Sequence, residues 1–214
     1  MVMDRRIRSF TIPAASLFTF DIISVIFWVL IYDRNLVPIA RKVTGLERGF
    51  SELHRMGIGL FISILALVTA AVVEIKRLQI AKELGLDLTD EISVALPINI
   101  LWQVPQYLLV GAAEVFTFIG QFEFFYHQSP DAMLSLCSAL SLLMISLGNY
   151  LSSVILTVVT AVTTAGGNPG WIPDNLNKGH LDYYFEFLAG LSFLNFWYMF
   201  YILSIIRRSR LPSS

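Results

Sequence analysis

Glu114 is the side chain in this sequence whose position is hardest to account for by packing alone. It stands within "VGAAEVFTFIGQFEFFYHQSP", residues 110–130, an otherwise apolar and aromatic run long enough to cross a bilayer. An ionisable group at a membrane centre costs roughly 2.5 to 3.5 kcal/mol on insertion scales, so something must offset that cost. At about 100° per residue, Gln103, Tyr107, Glu114 and Gln121 fall within about 40° of one another on one helical face. The glutamines suit interhelical hydrogen bonds. A carboxylate on the same stripe points to a cavity or a partner charge, where it can take up and release a proton.

Two other apolar runs carry polar stripes. Asp21, Ser24, Trp28 and Tyr32 align in the first, and Ser135, Ser138, Asn149, Ser152 and Ser153 share a broad face near Gly148 in the fourth. Small-residue helix packing accounts for most of the second face, with Asn149 singled out as cavity-facing. Asp182 and Glu186 stand at the start of the last run, where acidic groups favour a helix N-terminus. His54, His127 and His180 lie in loops or at span ends without metal-ligand spacing, so no metal site is proposed. Neither a G-x-S-x-G elbow, a phosphate-cradling glycine loop nor an H-E-x-x-H pair occurs, and the chain does not read as an enzyme.

The elements that must hold these residues are transmembrane helices. Of 214 residues, 56% are hydrophobic and 14% charged, against roughly 25% charged in soluble domains. The mean hydropathy is +0.67. A span needs about 20 mostly apolar residues, and five stretches qualify: Phe10 to Tyr32, Met56 to Val73, Pro97 to Tyr126, Ala132 to Val162 and Tyr183 to Ile206. This divides the chain into an extramembrane stretch at 1–9, a bundle at 10–206 and a short basic tail at 207–214. Pro105 is the expected kink of the third span. No signal peptide is read from the N-terminus. A net charge of −1 and the lack of a basic block exclude nucleic acid as a partner. Cys137, the single cysteine, reads as a small buried thiol.

The connections are polar. Pro38 and Gly45 punctuate the first, Ser129, Pro130 and Asp131 resemble a helix start, and residues 163–180 form a loop rich in Gly, Pro and Asn. If residues 33–55 face the cytoplasm, the positive-inside rule is met by Arg34, Arg41, Lys42, Arg48, Arg55, Arg207, Arg208 and Arg210. Against them stand Arg5, Arg6, Arg8, Lys76, Arg77, Lys82 and Lys178, a narrow majority. Polar stripes turned inward around a lone carboxylate describe a water-accessible pathway, and a proton-linked carrier is the natural class.

The run "WQVPQYLLVGAAEVFTFIGQFEFFYHQSPDAMLSLCSALSLLMISLGNYLSS" closely resembles the C-terminal half of plant-type proton-coupled oligopeptide and nitrate transporters, a branch of the major facilitator superfamily. The stretches "YDRNLVPIARKVTGLERGFSELHRMGIG" and "GWIPDNLNKGHLDYYFEFLAGLSFLN" are similar to that family as well. The resemblance implies an all-α membrane protein whose five helices match spans eight to twelve of a twelve-helix carrier. Such a carrier moves peptides, nitrate or related small solutes with protons by alternating access. It implies no cofactor, the proton gradient being the driving force. The family's ExxER-type motif and a lysine of its fourth span would lie outside these five spans, so the chain reads as a fragment or truncated product. Its expected partners are the lipid bilayer, a solute, protons, and either the N-terminal half or a full-length carrier.

By resemblance, Glu114 matches a glutamate of span ten that faces the central cavity, pairs with that lysine and can meet a peptide's amino terminus. Ser24 and Trp28 match the cavity side of span eight, and Asp33, Arg34 and Arg41 look like the superfamily's cytoplasmic gating motif. Gln103, Tyr107, Gln121 and Asn149 remain cavity-lining candidates from the stripes alone. Two departures bear on gating. Where many relatives read "FWVPIYDR" this chain has Leu30, which predicts the loss of a proline kink. Where many read "FFYDQSPDAM" it has His127, which changes the charge of a turn. A transport-incompetent membrane protein that associates with full-length carriers is the competing reading. The sequence singles out neither the plasma membrane nor the vacuolar membrane.

Overall fold

The computed structural model describes residues 3–4, 6–7, 10–11, 17–45, 50–85, 96–127, 130, 133–165, 170–173 and 175–209. Among these residues six helices dominate: α1 (Leu17–Ile31), α2 (Val37–Thr44), α3 (Glu52–Glu83), α4 (Val104–His127), α5 (Leu134–Thr164) and α6 (Leu181–Ser209). Four short strands accompany them: β1 (Met3–Asp4), β2 (Arg6–Ile7), β3 (Phe10–Thr11) and β4 (Leu96–Asn99). β1 runs parallel to β4 just ahead of α4, and β2 pairs antiparallel with β3. Five helical segments are long and apolar enough to cross a membrane, with α1 and α2 joined in the first.

α3 and α4 are the central pair. α1 and α5 each pack on α4, and α6 packs on α3. Apolar surface does not drive helices together in lipid, so close approach must come from small side chains and backbone contact. Ala66, Ala70 and Ala71 on α3 and Ala112 and Ala113 on α4 are buried accordingly. At Gly59 a Cβ would stand 2.9 Å from the Thr117 backbone nitrogen, and at Gly111 another would stand 2.9 Å from that of Val25 on α1. Large apolar side chains such as Phe18, Tyr150, Leu151, Trp197 and Phe200 remain exposed on the outside of the bundle, as a multi-pass membrane protein requires.

Several boundaries differ from expectation. Among the described residues the first helix is seen from Leu17, and Phe10–Thr11 belong to a strand that pairs with Arg6–Ile7 in place of the expected helix start. The 33–55 connection is largely helical. A π turn (Tyr32–Leu36) leads into α2, Pro38 takes a position in the first turn where its missing N–H is harmless, and Gly45 closes the helix in the left-handed conformation at φ 69°. α3 extends well beyond the expected Met56 to Val73 because its charged residues find partners inside the bundle. Pro105 is not a mid-span kink. Ile100–Gln103 form a 3₁₀ turn and Pro105 sits in the first turn of α4. Cys137 is half-buried. Ser129 and Asp131 lie outside the described residues, and α6 continues through the expected boundary at 206.

Gly111→Leu should force α1 away from α4 and lower stability by about 1–3 kcal/mol. Thermal unfolding in detergent should show a clear drop for Gly111→Leu and a negligible one for Gly190→Ala, where an added Cβ meets nothing within 4 Å.

Candidate functional site

Glu114 lines a cavity of about 400 Å³ bounded by α3, α4 and α6. Ser63 of α3, Gln106 and Thr117 of α4 and Ser192 of α6 supply its other polar groups, and Ala66, Ala70 and Ala113 are among its apolar walls. Among the described residues lining it, Glu114 carries the charge, and there is no Lys, Arg or His. No hydrogen bond or ion pair among the described residues engages the Glu114 carboxylate. Oδ1 of Asp21 is buried with no hydrogen-bond partner among the described residues. Such a site favours a proton or a cationic group over an anion.

The polar stripe of α4 divides among neighbours. Gln121 donates to the Ser141 carbonyl of α5 at 3.1 Å, which is the helix-joining role expected of a glutamine. Tyr107 packs with Phe20 and Ile100. Gln103 lies in the 3₁₀ turn, so its direction does not follow from an α-helical count, and its Oε1 is buried with no partner among the described residues. None of these three lines the Glu114 cavity. Ser24 and Trp28 also lie elsewhere: both donate to the Leu108 carbonyl, at 3.2 and 2.9 Å, and tie α1 to α4. Asn149 is exposed on α5, along with Ser152 and Ser153, and its carbonyl accepts from Ser153 at 3.0 Å. The sequence does not single out Gln106, Thr117, Ser63 or Ser192. Gln106, Val110, Ala113, Glu114 and Thr117 follow the i, i+4, i+7, i+8, i+11 pattern of one helix face, and a stripe drawn through the strongly polar residues of α4 passes beside that face.

The end of the bundle near Glu52 holds a charge network that the sequence does not single out either. Arg55 is 2% exposed and pairs with Glu123 across the α3–α4 contact. Its guanidinium carbon lies 5.7 Å from the centre of the Tyr32 ring, which meets Phe116 edge-on at 5.3 Å. Nearby, His127 Nδ1 stands 2.6 Å from Glu52 Oε1, so the residue that departs from the family turn contacts α3. Asp33 and Arg34 are exposed in the π turn, where Asp33 directly follows Tyr32, and Arg41 is exposed on α2. At the opposite end, Asp182 is buried with Oδ1 3.6 Å from His180 Nδ1, whereas Glu186 is exposed.

Removing one member of a buried ion pair strands the other. Because Glu123 keeps some solvent exposure, Arg55→Ala should cost about 1–3 kcal/mol rather than the full penalty of a buried charge. Glu123→Gln should cost less than Arg55→Ala in the same thermal assay, since an amide still accepts from the guanidinium.

Comparison with known proteins gives this arrangement its context. The model of the POT family (PTR2) matches residues 1–172. Protein NRT1/PTR FAMILY 8.3 of Arabidopsis thaliana is 62% identical over 193 residues, covering 90% of this chain and 32% of the relative. NRT1/PTR FAMILY 8.1 of the same plant is 59% identical over 189 residues, with 88% and 32% coverage. NRT1/PTR FAMILY 7.2 is 46% identical over 196 residues, with 91% and 33%. The chain thus spans about a third of the length of these relatives. With five membrane-crossing helices and a family match over most of its length, the chain belongs to the POT family of membrane transporters, which are of the major facilitator type.

Proposed function

We propose that the chain forms part of a proton-coupled carrier for peptides, nitrate or related small solutes that works by alternating access. The observation that carries the reading is Glu114, a carboxylate without a hydrogen-bond or ion-pair partner among the described residues, facing a cavity shared by three helices. Its place along α4 fits the role. Glu123, which pairs with Arg55, lies nine residues further on, about 13 Å along a helix. With the Arg55–Glu123 pair at one face of a hydrocarbon layer roughly 30 Å thick, Glu114 would lie near its middle. A carboxylate at that depth must be neutralised by a proton, a partner cation or a solute ammonium, and exchange among the three couples proton movement to solute movement. In this reading the partner cation is the lysine that the family resemblance implies in the other half of the carrier.

A second reading has its own support. The chain covers about a third of its relatives, and α5 leaves most of its surface uncovered. A membrane protein that associates with full-length carriers without transporting would present such a surface.

Proton-driven uptake by proteoliposomes holding only the 214-residue chain separates the readings. Robust uptake would sink the second, and its absence would remove autonomous transport. When the chain is joined to the remaining spans of a full-length relative, Glu114→Gln should abolish acid-stimulated uptake while membrane insertion and solute exchange without a gradient persist. Unchanged pH-dependent uptake would take Glu114 out of the coupling step.

A further inference from the structure

The most completely bonded polar cluster in the described bundle lies far from Arg55, near the other end of α3. Arg77 is 3% exposed, and Glu74 and Asn177 are likewise buried. Nε and Nη2 of Arg77 donate to the two Glu74 carboxylate oxygens at 2.8 and 2.7 Å. Nη1 donates to Asn177 Oδ1 at 2.7 Å, and Nη2 also donates to the Leu176 carbonyl at 2.8 Å. The pair closed within α3 therefore directs its remaining donors at the segment that leads into α6.

That segment is fixed on several sides. The Leu176 side chain packs against the apolar cluster of Val73, Ala81, Leu96 and Ile98. The His180 N–H donates to the Trp171 carbonyl at 3.0 Å, and the Trp171 N–H donates to Thr163 Oγ1 on α5 at 3.2 Å. A Cβ on Gly179 would lie 2.8 Å from Pro173 Cγ, so the turn closes without room for a side chain. An i,i+3 Glu–Arg pair serves an isolated helix well enough in water. Buried, the guanidinium divides its donors between Glu74 and the loop, so the loop satisfies donors that the pair alone leaves open.

We propose that the Arg77 cluster is a latch that holds the start of α6 against α3 and thereby sets the width of the Glu114 cavity. The connection is direct in the fold. Arg77 lies seven residues beyond Ala70, which lines the cavity from α3, and Asn177 leads into the helix that contributes Ser192. With the latch fastened, the two walls are held together at this end; with it released, α6 can part from α3 and the cavity widens. The latch operates on helix spacing, whatever solute or proton the cavity carries.

The test uses the whole 214-residue chain in lipid nanodiscs, with Cys137→Ser and spin labels on Val72→Cys of α3 and Glu186→Cys of α6, both exposed positions. Pulsed electron resonance reads the α3–α6 separation, and hydrogen exchange of residues 171–180 reads the loop. Asn177→Ala leaves the Glu74–Arg77 pair whole. It should raise exchange in that segment roughly tenfold or more and move the label distances to longer, broader values. Arg77→Lys should do the same, since one ammonium cannot span the acceptors that the guanidinium fork reaches. If Arg77→Lys does not fold, judged by circular dichroism, Asn177→Ala alone decides. Loop exchange that rises while the label distances stay unchanged would overturn the proposal in favour of a purely local fastening. Unchanged exchange would overturn it outright.

Discussion

Everything in this bundle depends on how closely α3 and α4 can approach. In lipid the gain comes from packing and backbone contact, and the two helices achieve it with glycine and alanine at facing positions. Gly59 admits the Thr117 backbone, and Ala113 comes within contact of the same spot. The same economy creates the cavity. Ala66, Ala70 and Ala113 are small enough to let the helices meet and too small to fill the space where α6 joins them. Glu114 occupies the α4 side of that space, so the carboxylate and the close contact have one geometric origin.

Charge is confined by a related logic. Arg55 and Arg77 are both almost wholly buried, and each is matched by a carboxylate. Their separation along α3, from position 55 to position 77, is about 33 Å of helix, close to the thickness of the hydrocarbon layer. The spacing between the two guanidinium groups thus matches the length of helix needed to cross that layer. Their carboxylates come from different places: Glu123 from the neighbouring helix at one end, Glu74 from α3 itself at the other. The first pair joins helix to helix, while the second has donors left over for a loop.

How much of this is legible in the sequence follows from which physical signals are periodic. Hydropathy locates all five spans, and the quoted runs identify the family, because both signals extend over tens of residues. Glu114 stands out because a carboxylate within an apolar run is too costly to be kept for packing alone. The helix ends are less legible. Hydropathy fades at Glu74, Lys76 and Arg77, yet the backbone of α3 continues, since a charge that finds a partner does not end a helix. Gln103 is misplaced by an α-helical count because the 3₁₀ turn of Ile100–Gln103 has a different angular step from the helix that follows. Ser63, Thr117 and Ser192 are out of reach, because weakly polar residues declare a cavity only once three helices are assembled around it. The exposure of Asp33, Arg34 and Arg41 likewise depends on assembly, not on local pattern.

The π turn at Tyr32–Leu36 bears on the absence of proline at position 30. Ser24, Tyr32 and Ala40 are all buried although they step along the chain by eights. A regular α-helix would carry Ala40 about 160° round the axis from Ser24. The wider turn, closed by the Val37 N–H on the Tyr32 carbonyl, takes up part of that rotation and keeps α2 in phase with the packed side of α1. A proline bend is permanent, because the missing N–H cannot be restored. A π turn keeps its backbone donors and widens the helix through i→i+5 bonding. The joint between α1 and α2 is therefore held by backbone hydrogen bonding, where a proline would have removed a donor.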